Sequence, residues 1–510
     1  MKQSLSLMLL LLCYFLGFSQ GHKEKSGPSG SEKDSAVTAA THKDLPPVVT
    51  QGTVTIEGKT IAYTATTGFM TMKNENGKPL SHIFYIAYTK NGVEDKADRP
   101  ITFAYNGGPG SSSVWLHMGM LGPKRVLMSD SGEALPPPAR YVNNPYSWLD
   151  KTDLVFIDPV TTGFSRPAKG EDATQFHGYE EDLKSVGDFI REYISRQSRW
   201  NSPKILAGES YGTTRSAGLS GYLQDNYGMY LNGVILVSSV LNFQTIDFNE
   251  GNDLPYILYL PTYAAAAWYH HKIAPDLQGS LQKTIAEAKT FAEGPYNVAL
   301  MKGDQLSAAE VDSIAGELHR LTGLPETYIK RSRLRINAGN FEKELLRPEN
   351  EILGRYDSRI ANSGYDQVGE YPEYDPSYAA TLGTFSTAVN DYLERDLKFK
   401  NENPYNILTG VGPWPYRSDN RYFTNFQTLR NAMTQNKYLK VWVLCGYFDL
   451  ATPFDAAEYV FDHMGLEPYQ QSRLHMTFYP SGHMIYTNME SLRKAKKDAD
   501  AFYDSIQSHP

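Results

Sequence analysis

A serine in the pattern Gly-x-Ser-x-Gly, at residues 208–212, is the feature of this 510-residue chain that most directly predicts chemistry. It follows a short apolar run and opens a segment with helical character. This context is that of a nucleophile elbow, a tight turn that holds the serine hydroxyl above a sheet. The N-terminus of the following helix favours negative charge there. We therefore predict that Ser210 is a nucleophile, whereas in an arbitrary loop the pattern would indicate only a turn serine.

A serine hydroxyl needs a base to remove its proton and an acid to orient that base. Asp449 lies just beyond an apolar run at residues 439–444, and His483 lies in a loop just beyond another at residues 474–479. The chain order Ser, Asp, His, with each residue at a strand end, is typical of nucleophile-elbow enzymes. We therefore predict a catalytic triad of Ser210, Asp449 and His483. The competing residues are assigned to a helix start, a helix end and a strand: Asp455, His463 and His475.

A glycine-rich segment at residues 105–113 follows an early apolar run. Because glycines carry no side chain, a backbone N–H of this loop can approach a substrate oxygen closely. We predict an oxyanion hole formed by the backbone N–H groups of Gly108 and Tyr211, a contribution of about 3–4 kcal/mol per donor. A phosphate-binding loop is the alternative, but the chain has no G-x-x-x-x-G-K-[ST] pattern here.

The elements that must position these residues alternate between short apolar runs and helical segments. The apolar runs lie at residues 101–105, 154–157, 204–207, 233–237, 439–444 and 474–479. Fully apolar strands separated by helices predict a mostly parallel central sheet with helices on both faces. Before them, residues 52–89 are rich in Thr, Tyr, Ile and Val, with turns at Glu57-Gly58 and Asn76-Gly77. This part predicts an antiparallel start of two or three strands.

Between about Phe248 and Arg421 the alternation stops. The segments there look helical or irregular, at residues 254–271, 279–293, 308–322 and 378–395. We predict one α/β domain over residues 50–510 with a largely helical insertion, or lid, at about 248–421. A final helix is predicted at residues 489–506.

The N-terminus has the layout of a secretory signal: a positively charged start, an apolar run from Leu5 to Phe18, and small residues at its end, in Gly17-Phe18-Ser19. We predict a signal peptide at residues 1–19 and a secreted or periplasmic protein. An uncleaved membrane anchor is the alternative, but the run is shorter than the ~20 residues of a spanning helix, and no other segment is apolar enough. Residues 20–49 are polar and predict a disordered leader.

The charge and cysteine content exclude some classes of protein. The net charge is −8, with acidic and basic residues spread along the chain, which disfavours a nucleic-acid-binding face. Of the two cysteines, Cys13 would leave with the signal, so the mature protein would hold no intrachain disulfide. Cys445 lies in an apolar run and is predicted to be buried.

The segment from Asn106 to Gly110 resembles the oxyanion and substrate loop of the serine carboxypeptidases, peptidase family S10, and residues 208–211 resemble their nucleophile elbow. Similar blocks lie at residues 144–148, 158–165, 446–449 and 482–484. The resemblance runs from about residue 50 to the end. It implies an α/β-hydrolase fold with no metal and no organic cofactor, and removal of the C-terminal residue of a peptide substrate through an acyl-enzyme. It also implies that Asn106, Gly107 and Glu209 bind the substrate.

One departure from the family pattern bears on specificity. The family has a glutamate two residues before a Gly-Pro pair, where this chain has Met120. In the family that glutamate and the one matching Glu209 are thought to share a proton and bind a carboxylate, which methionine cannot do. Either other groups recognise the carboxylate, or the enzyme is not a strict carboxypeptidase. His117 and Arg215 are candidates for a positive charge that would bind the carboxylate. The alternatives are that His117 only packs in the core and that Arg215 forms a structural ion pair.

Two other functions stay open at this point. An esterase or acyltransferase would use the same triad on a different acyl group, and Met120 favours it. A non-catalytic secreted binding protein on a hydrolase scaffold is the second, and the intact triad and glycine loop disfavour it.

Overall fold

The computed structural model describes residues 46–507 of the chain. Strands β1 to β14 span Val48–Ile56, Lys59–Lys73, Pro79–Lys90, Ile101–Tyr105, Lys124–Val126, Tyr141–Asn143, Asp153–Ile157, Arg166–Pro167, Lys204–Glu209, Gly233–Val237, Glu351–Leu353, Ala361–Ser363, Lys440–Gly446 and Leu474–Tyr479. Helices α1 to α14 span Val114–Leu116, Tyr179–Arg196, Tyr211–Tyr227, Leu254–Tyr269, Leu281–Phe291, Asn297–Lys302, Ala308–Thr322, Glu326–Arg331, Ala338–Glu344, Pro376–Arg395, Phe426–Gln435, Phe454–Asp462, Pro468–Gln471 and Met489–Gln507.

One large sheet has the strand order β1-β2-β3-β7-β4-β9-β10-β13-β14, with β8 paired to β3. The strands from β7 to β14 in this order run parallel to one another. Strands β1, β2 and β3 are antiparallel, and β3 pairs antiparallel with β7. The mostly parallel sheet and its antiparallel start are thus confirmed. The predicted turn at Glu57-Gly58 joins β1 to β2, with both residues at positive φ.

Alternate residues of the parallel strands face two different apolar layers. Ile235 and Val237 of β10 pack in one cluster with residues of α10 and α14. Val234 and Leu236 pack in the other, with residues of α2, α3, α11 and α12. Because both faces of these strands are covered by helices, the strands are apolar throughout, as their sequence indicates. Cys445 of β13 is buried in the second layer, as predicted.

The chain between β10 and β13 carries helices α4 to α11 and the small β11–β12 hairpin. Helices α4, α5, α7 and α9 contribute to a separate apolar cluster. Helix α7 has the predicted bounds, whereas the β11–β12 hairpin was not predicted. That this part is an insertion or lid stays a prediction.

The predicted signal peptide lies outside the described residues, and so does most of the predicted leader. Strand β1 begins at Val48, just inside the predicted leader, and pairs along its whole length with β2. Among residues 46–507, no helix has both the length and the apolar character that crossing a membrane requires.

Candidate active site

Ser210 stands between β9 and α3 with a backbone that few residues adopt, φ 60° and ψ −130°. Its N–H donates to the Val237 carbonyl at 3.0 Å, which ties the turn to β10. The pattern needs glycine because a Cβ at Gly208 would lie 2.1 Å from the Gly212 carbonyl oxygen. The local sequence therefore produces the strand–turn–helix that was predicted.

Asp449 and His483 meet in the loops after β13 and β14. The His483 Nδ1 lies 2.8 Å from Asp449 Oδ2. The carboxylate also accepts hydrogen bonds from the Ala451 N–H at 2.8 Å and the Thr452 N–H at 2.9 Å, and from the Thr452 hydroxyl at 2.7 Å. These bonds fix the carboxylate, and its bond to Nδ1 leaves Nε2 as the imidazole nitrogen available to a substrate or nucleophile.

The backbone and ring of His483 are held by their neighbours. Its N–H donates to the Tyr356 carbonyl, and the Ser238 hydroxyl donates to its carbonyl, each at 2.6 Å. The Tyr356 ring packs against the imidazole with centroids 5.1 Å apart. Burial lowers the pKa of His483, but the charge of Asp449 and its hydrogen bond outweigh burial, so the pKa lies above its ordinary value.

Ser210 and His483 line one cavity of about 200 Å³. Gly108 and Tyr211 line it too, and Tyr211 opens α3, where a backbone N–H has no intrahelical acceptor. A Cβ at Gly107 would lie 2.4 Å from the Tyr211 nitrogen, so only glycine lets this loop approach the helix N-terminus. The structure thus brings the residues predicted for the triad and the oxyanion hole together. Their catalytic roles remain predictions.

Asn106 and Glu209 are joined at the wall of the same cavity. The Asn106 Nδ2 donates to Glu209 Oε1 at 2.7 Å, and the Asn106 Oδ1 accepts from the Leu116 N–H at 3.0 Å. Glu209 Oε2 is buried with no hydrogen-bond partner among the described residues. Burial raises the pKa of Glu209 to about 7, against the lowering effects of His483, Tyr486 and Asn106.

Met120 is fully buried in the apolar layer under α10 and does not line the cavity. Beside it, Gly119 packs directly on the Tyr486 ring, to which a Cβ would approach within 2.2 Å. The buried Tyr486 hydroxyl has no partner at hydrogen-bond distance among residues 46–507. It is nevertheless close enough to Glu209 to lower the pKa of that carboxyl, and burial and Glu209 raise the pKa of Tyr486. A tyrosine thus lies beside Glu209.

Neither residue proposed as a replacement charge lines the cavity. His117 is buried against the Phe156 ring, its Nε2 lies 2.7 Å from the Tyr88 hydroxyl, and burial lowers its pKa to about 3, so it is neutral. Arg215 forms a buried ion pair with Asp182 at 2.7 Å. It also donates to the Asn106 carbonyl at 2.7 Å and so holds the glycine-rich loop in place. The packing and structural alternatives are therefore confirmed.

The competitors for the triad lie elsewhere. Asp455 pairs with Lys289 at 2.8 Å in the first turn of α12. His463 caps the end of that helix, and His475 is exposed on β14.

Sequence reasoning missed several residues near the cavity, among them Arg355, Tyr356 and Tyr486. The first two lie in the turn between β11 and β12, in a part of the chain without a recognisable pattern. Tyr486 lies three residues after His483, so its proximity to the site was readable, although its contact with Glu209 was not.

The sheet order and the strained Ser210 turn define an α/β-hydrolase, which confirms the predicted fold class. A crystal structure of the prohormone-processing carboxypeptidase KEX1 from Saccharomyces cerevisiae has the same fold, with a TM-score of 0.53 and 17% identity over 87% of this chain and 91% of that one. The chain belongs to the serine carboxypeptidase family, whose model matches residues 56–493.

Curated relatives match shorter stretches. The chain is 36% identical over 135 residues to the pheromone-processing carboxypeptidase KEX1 of Saccharomyces cerevisiae, which is 25% of this chain and 17% of that protein. It is 28% identical over 239 residues to serine carboxypeptidase-like 33 of Arabidopsis thaliana, or 46% and 45% of the two chains. The matches thus span less than half the length of these relatives.

Proposed function

We propose that the protein is an exported serine carboxypeptidase that releases the C-terminal residue of a peptide through an acyl-enzyme on Ser210. The observation that carries this proposal is the Asn106–Glu209 pair. Glu209 lines the cavity together with Ser210 and His483, and its second carboxyl oxygen is buried without a hydrogen-bond partner among the described residues. Such an oxygen, when protonated, is a hydrogen-bond donor suited to a carboxylate.

In the acylation step, His483 Nε2 takes the proton of Ser210 as its oxygen attacks the carbonyl carbon of the last peptide bond. Asp449 holds the imidazole by its Nδ1–H and stabilises the imidazolium. The backbone N–H groups of Gly108 and Tyr211 donate to the oxyanion, an interaction that strengthens as charge develops. The imidazolium then protonates the leaving amine, the C–N bond breaks, and the C-terminal residue departs.

In the deacylation step, water attacks the acyl-enzyme while His483 Nε2 takes a proton from it. The same N–H groups stabilise the second oxyanion. The proton returns to Ser210 as the ester bond breaks, which restores the enzyme and releases the shortened peptide acid.

Recognition of the C-terminal carboxylate would depend on the protonation of Glu209. With a pKa of about 7, Glu209 is protonated in acid, and its Oε2–H can donate to a substrate carboxylate. When ionised, it repels that carboxylate. Asn106 donates to the other oxygen at 2.7 Å, which leaves Oε2 as the oxygen that can carry the proton. This arrangement would operate without the family glutamate that Met120 replaces.

Export is supported by the charged and apolar start of the sequence, whose layout is that of a secretory signal. Residues 20–49 would then begin the mature chain.

The test is kcat/KM against pH for a blocked dipeptide and for its C-terminally amidated twin. A preference of about 10- to 100-fold for the free carboxylate is expected from a charged hydrogen bond. Equal cleavage of the amide, or hydrolysis of acetyl esters alone, would favour the esterase function. Failure of a fluorophosphonate probe to label Ser210 would favour a non-catalytic binding protein.

A further inference from the structure

The proposed mechanism assigns no role to one charged residue of the cavity that Ser210 and His483 line. Three side chains that line the cavity can carry charge near neutral pH: Glu209, His483 and Arg355. The mechanism uses the first two. Arg355 is exposed to solvent in the cavity and comes from the turn between β11 and β12, far in sequence from the others.

The Arg355 guanidinium has no ion pair and no hydrogen-bond acceptor among the described residues. The nearby acids Glu342 and Asp375 favour its charge from a distance but form no ion pair with it. Burial raises the pKa of Glu342 to about 8, which makes that carboxyl neutral at pH 7. Asp375 caps α10 with the same oxygen that accepts from the backbone N–H of Arg355, at 3.1 Å, so it contacts the backbone rather than the guanidinium.

Three other buried or partly buried arginines of this protein each pair with a carboxylate, which Arg355 does not. Arg199 pairs with Asp153 at 2.5 Å, Arg215 pairs with Asp182 at 2.7 Å, and Arg359 pairs with Asp357 at 2.6 Å. Each of these three guanidinium groups has a carboxylate in the chain itself. A cleft arginine without one leaves a planar set of donors whose natural partner is a carboxylate from outside.

The turn that carries Arg355 is fixed to the catalytic machinery. The Arg355 carbonyl accepts from the Leu450 N–H at 3.1 Å, one residue after Asp449. The next residue, Tyr356, packs on His483, and its carbonyl accepts from the His483 N–H. The Arg355 guanidinium also lies 5.6 Å from the centre of the Tyr356 ring. The guanidinium is therefore attached next to the reaction centre rather than on a distant surface.

We propose that Arg355 is a specificity-determining residue that binds a carboxylate of the peptide substrate. This inference rests on the proposed function and deepens it. The carboxylate can be the side chain of an acidic residue next to the scissile bond or the α-carboxylate of the C-terminal residue. In both cases the substrate is bound through a guanidinium–carboxylate pair, and only in the first case must the peptide carry an acidic side chain.

The experiment measures binding rather than turnover, on full-length protein carrying Ser210→Ala, so that it does not depend on catalysis. Calorimetry compares blocked dipeptides that end in glutamate, their glutamine counterparts, and the C-terminal amides of both. A second pair places glutamate or glutamine at the penultimate position. Added substitutions are Arg355→Met and, as the matched control, Arg331→Met, which changes an exposed arginine of α8 that does not line the cavity.

A charged pair of this kind predicts a preference of about 10- to 100-fold for the acidic ligand. If the side-chain carboxylate binds Arg355, the preference for glutamate over glutamine disappears in Arg355→Met and the preference for acid over amide stays. If the α-carboxylate binds it, the preference for acid over amide falls instead, and the preference for glutamate over glutamine stays. In either case Arg331→Met keeps both preferences.

Charge reversal gives a second test in case Arg355→Met fails to fold. If the side-chain carboxylate binds Arg355, Arg355→Glu should make lysine-containing dipeptides bind better than glutamate-containing ones. If the α-carboxylate binds it, Arg355→Glu should weaken the acids relative to their amides. The proposal is overturned if Arg355→Met and Arg355→Glu leave every preference unchanged, or weaken glutamate, glutamine and amide ligands equally. Peptide binding that depends on Arg355 in a protein whose wild type cleaves no peptide would contradict the proposed function alone.

Discussion

The regions around Asp449 and Glu209 each bury a carboxylate beside the catalytic cavity, but the two carboxylates differ in their hydrogen bonds. Asp449 accepts bonds from Ala451, Thr452 and His483, and both of its oxygens are used. Glu209 accepts one bond, from Asn106, and its second oxygen has no partner in the described part of the chain. The two regions are therefore built for different tasks.

The difference is physical, because a buried charged oxygen without a partner costs free energy that a partnered one does not. That cost raises the pKa of Glu209 to about 7, so the group gains a proton near neutral pH. Asp449, whose oxygens are both hydrogen-bonded, keeps a fixed hydrogen bond to the His483 imidazole. Glu209 can instead exchange a proton and a ligand, which is what recognition of a carboxylate requires.

The largest effect is expected from breaking the Asp449 region. Asp449→Asn should lower kcat about 10⁴-fold, because the amide no longer holds the His483 tautomer. The matched control is Asp455→Asn, which removes a buried carboxylate that pairs with Lys289 instead of His483. Turnover of a peptide and of an acetyl ester by each folded variant measures this. Equal losses in the two variants would show that Asp449 has no special role.

Breaking the Glu209 region is expected to cause a smaller loss of activity that affects only substrates with a free carboxylate. Glu209→Ala should lower kcat/KM for peptides with a free carboxylate about 10- to 100-fold, because one charged hydrogen bond is lost. Amidated peptides should be affected much less. Glu394→Ala, an exposed position of α10, serves as the control. A loss of the same size for acid and amide substrates would mean that Glu209 supports the fold and does not recognise the carboxylate.

The pH profile sharpens the comparison further. With a pKa of about 7, Glu209 is protonated below that pH and donates to the substrate carboxylate, so kcat/KM should fall as pH rises through about 7. Glu209→Gln keeps an N–H donor at every pH, and its profile should lose this fall. An alkaline fall that persists in Glu209→Gln would assign it to another group.

The sequence predicts the Asp449 region better than the Glu209 region, for reasons of locality. Ser210, Asp449 and His483 each follow an apolar strand, and parallel strands bring their carboxyl ends to one edge of the sheet. Each position is therefore readable from its own neighbourhood. Glu209 was identified only through the family resemblance, and its raised pKa depends on burial by distant segments.

Arg355 and Tyr356 show where sequence reasoning stops. They reach the cavity through the β11–β12 hairpin, whose position depends on how helices between β10 and β13 pack. No short pattern in the chain encodes that packing. The alternation of strands and helices predicted most of the sheet, whereas this hairpin and its contact with His483 required the three-dimensional structure.

The smallest effect is expected from Tyr486→Phe, which leaves both carboxylates in place. Because the Tyr486 hydroxyl lowers the pKa of Glu209, its removal should raise that pKa and move the alkaline fall of kcat/KM to higher pH. The shift should stay below about one pH unit, which corresponds to about 1.4 kcal/mol, because the hydroxyl has no partner within hydrogen-bond distance in the described part of the chain and burial is the main cause of the raised Glu209 pKa.

The control for this variant is its own profile on amidated peptides and acetyl esters, which need no carboxylate donor. There the alkaline side should be unchanged, because the Asp449–His483 pair does not contact Tyr486. A shift to lower pH on carboxylate substrates would mean that the hydroxyl stabilises the protonated form of Glu209. Tyr486 would then oppose ionisation of the Glu209 carboxyl. It would take over the effect of the family glutamate that Met120 replaces, by stabilising the protonated form of Glu209.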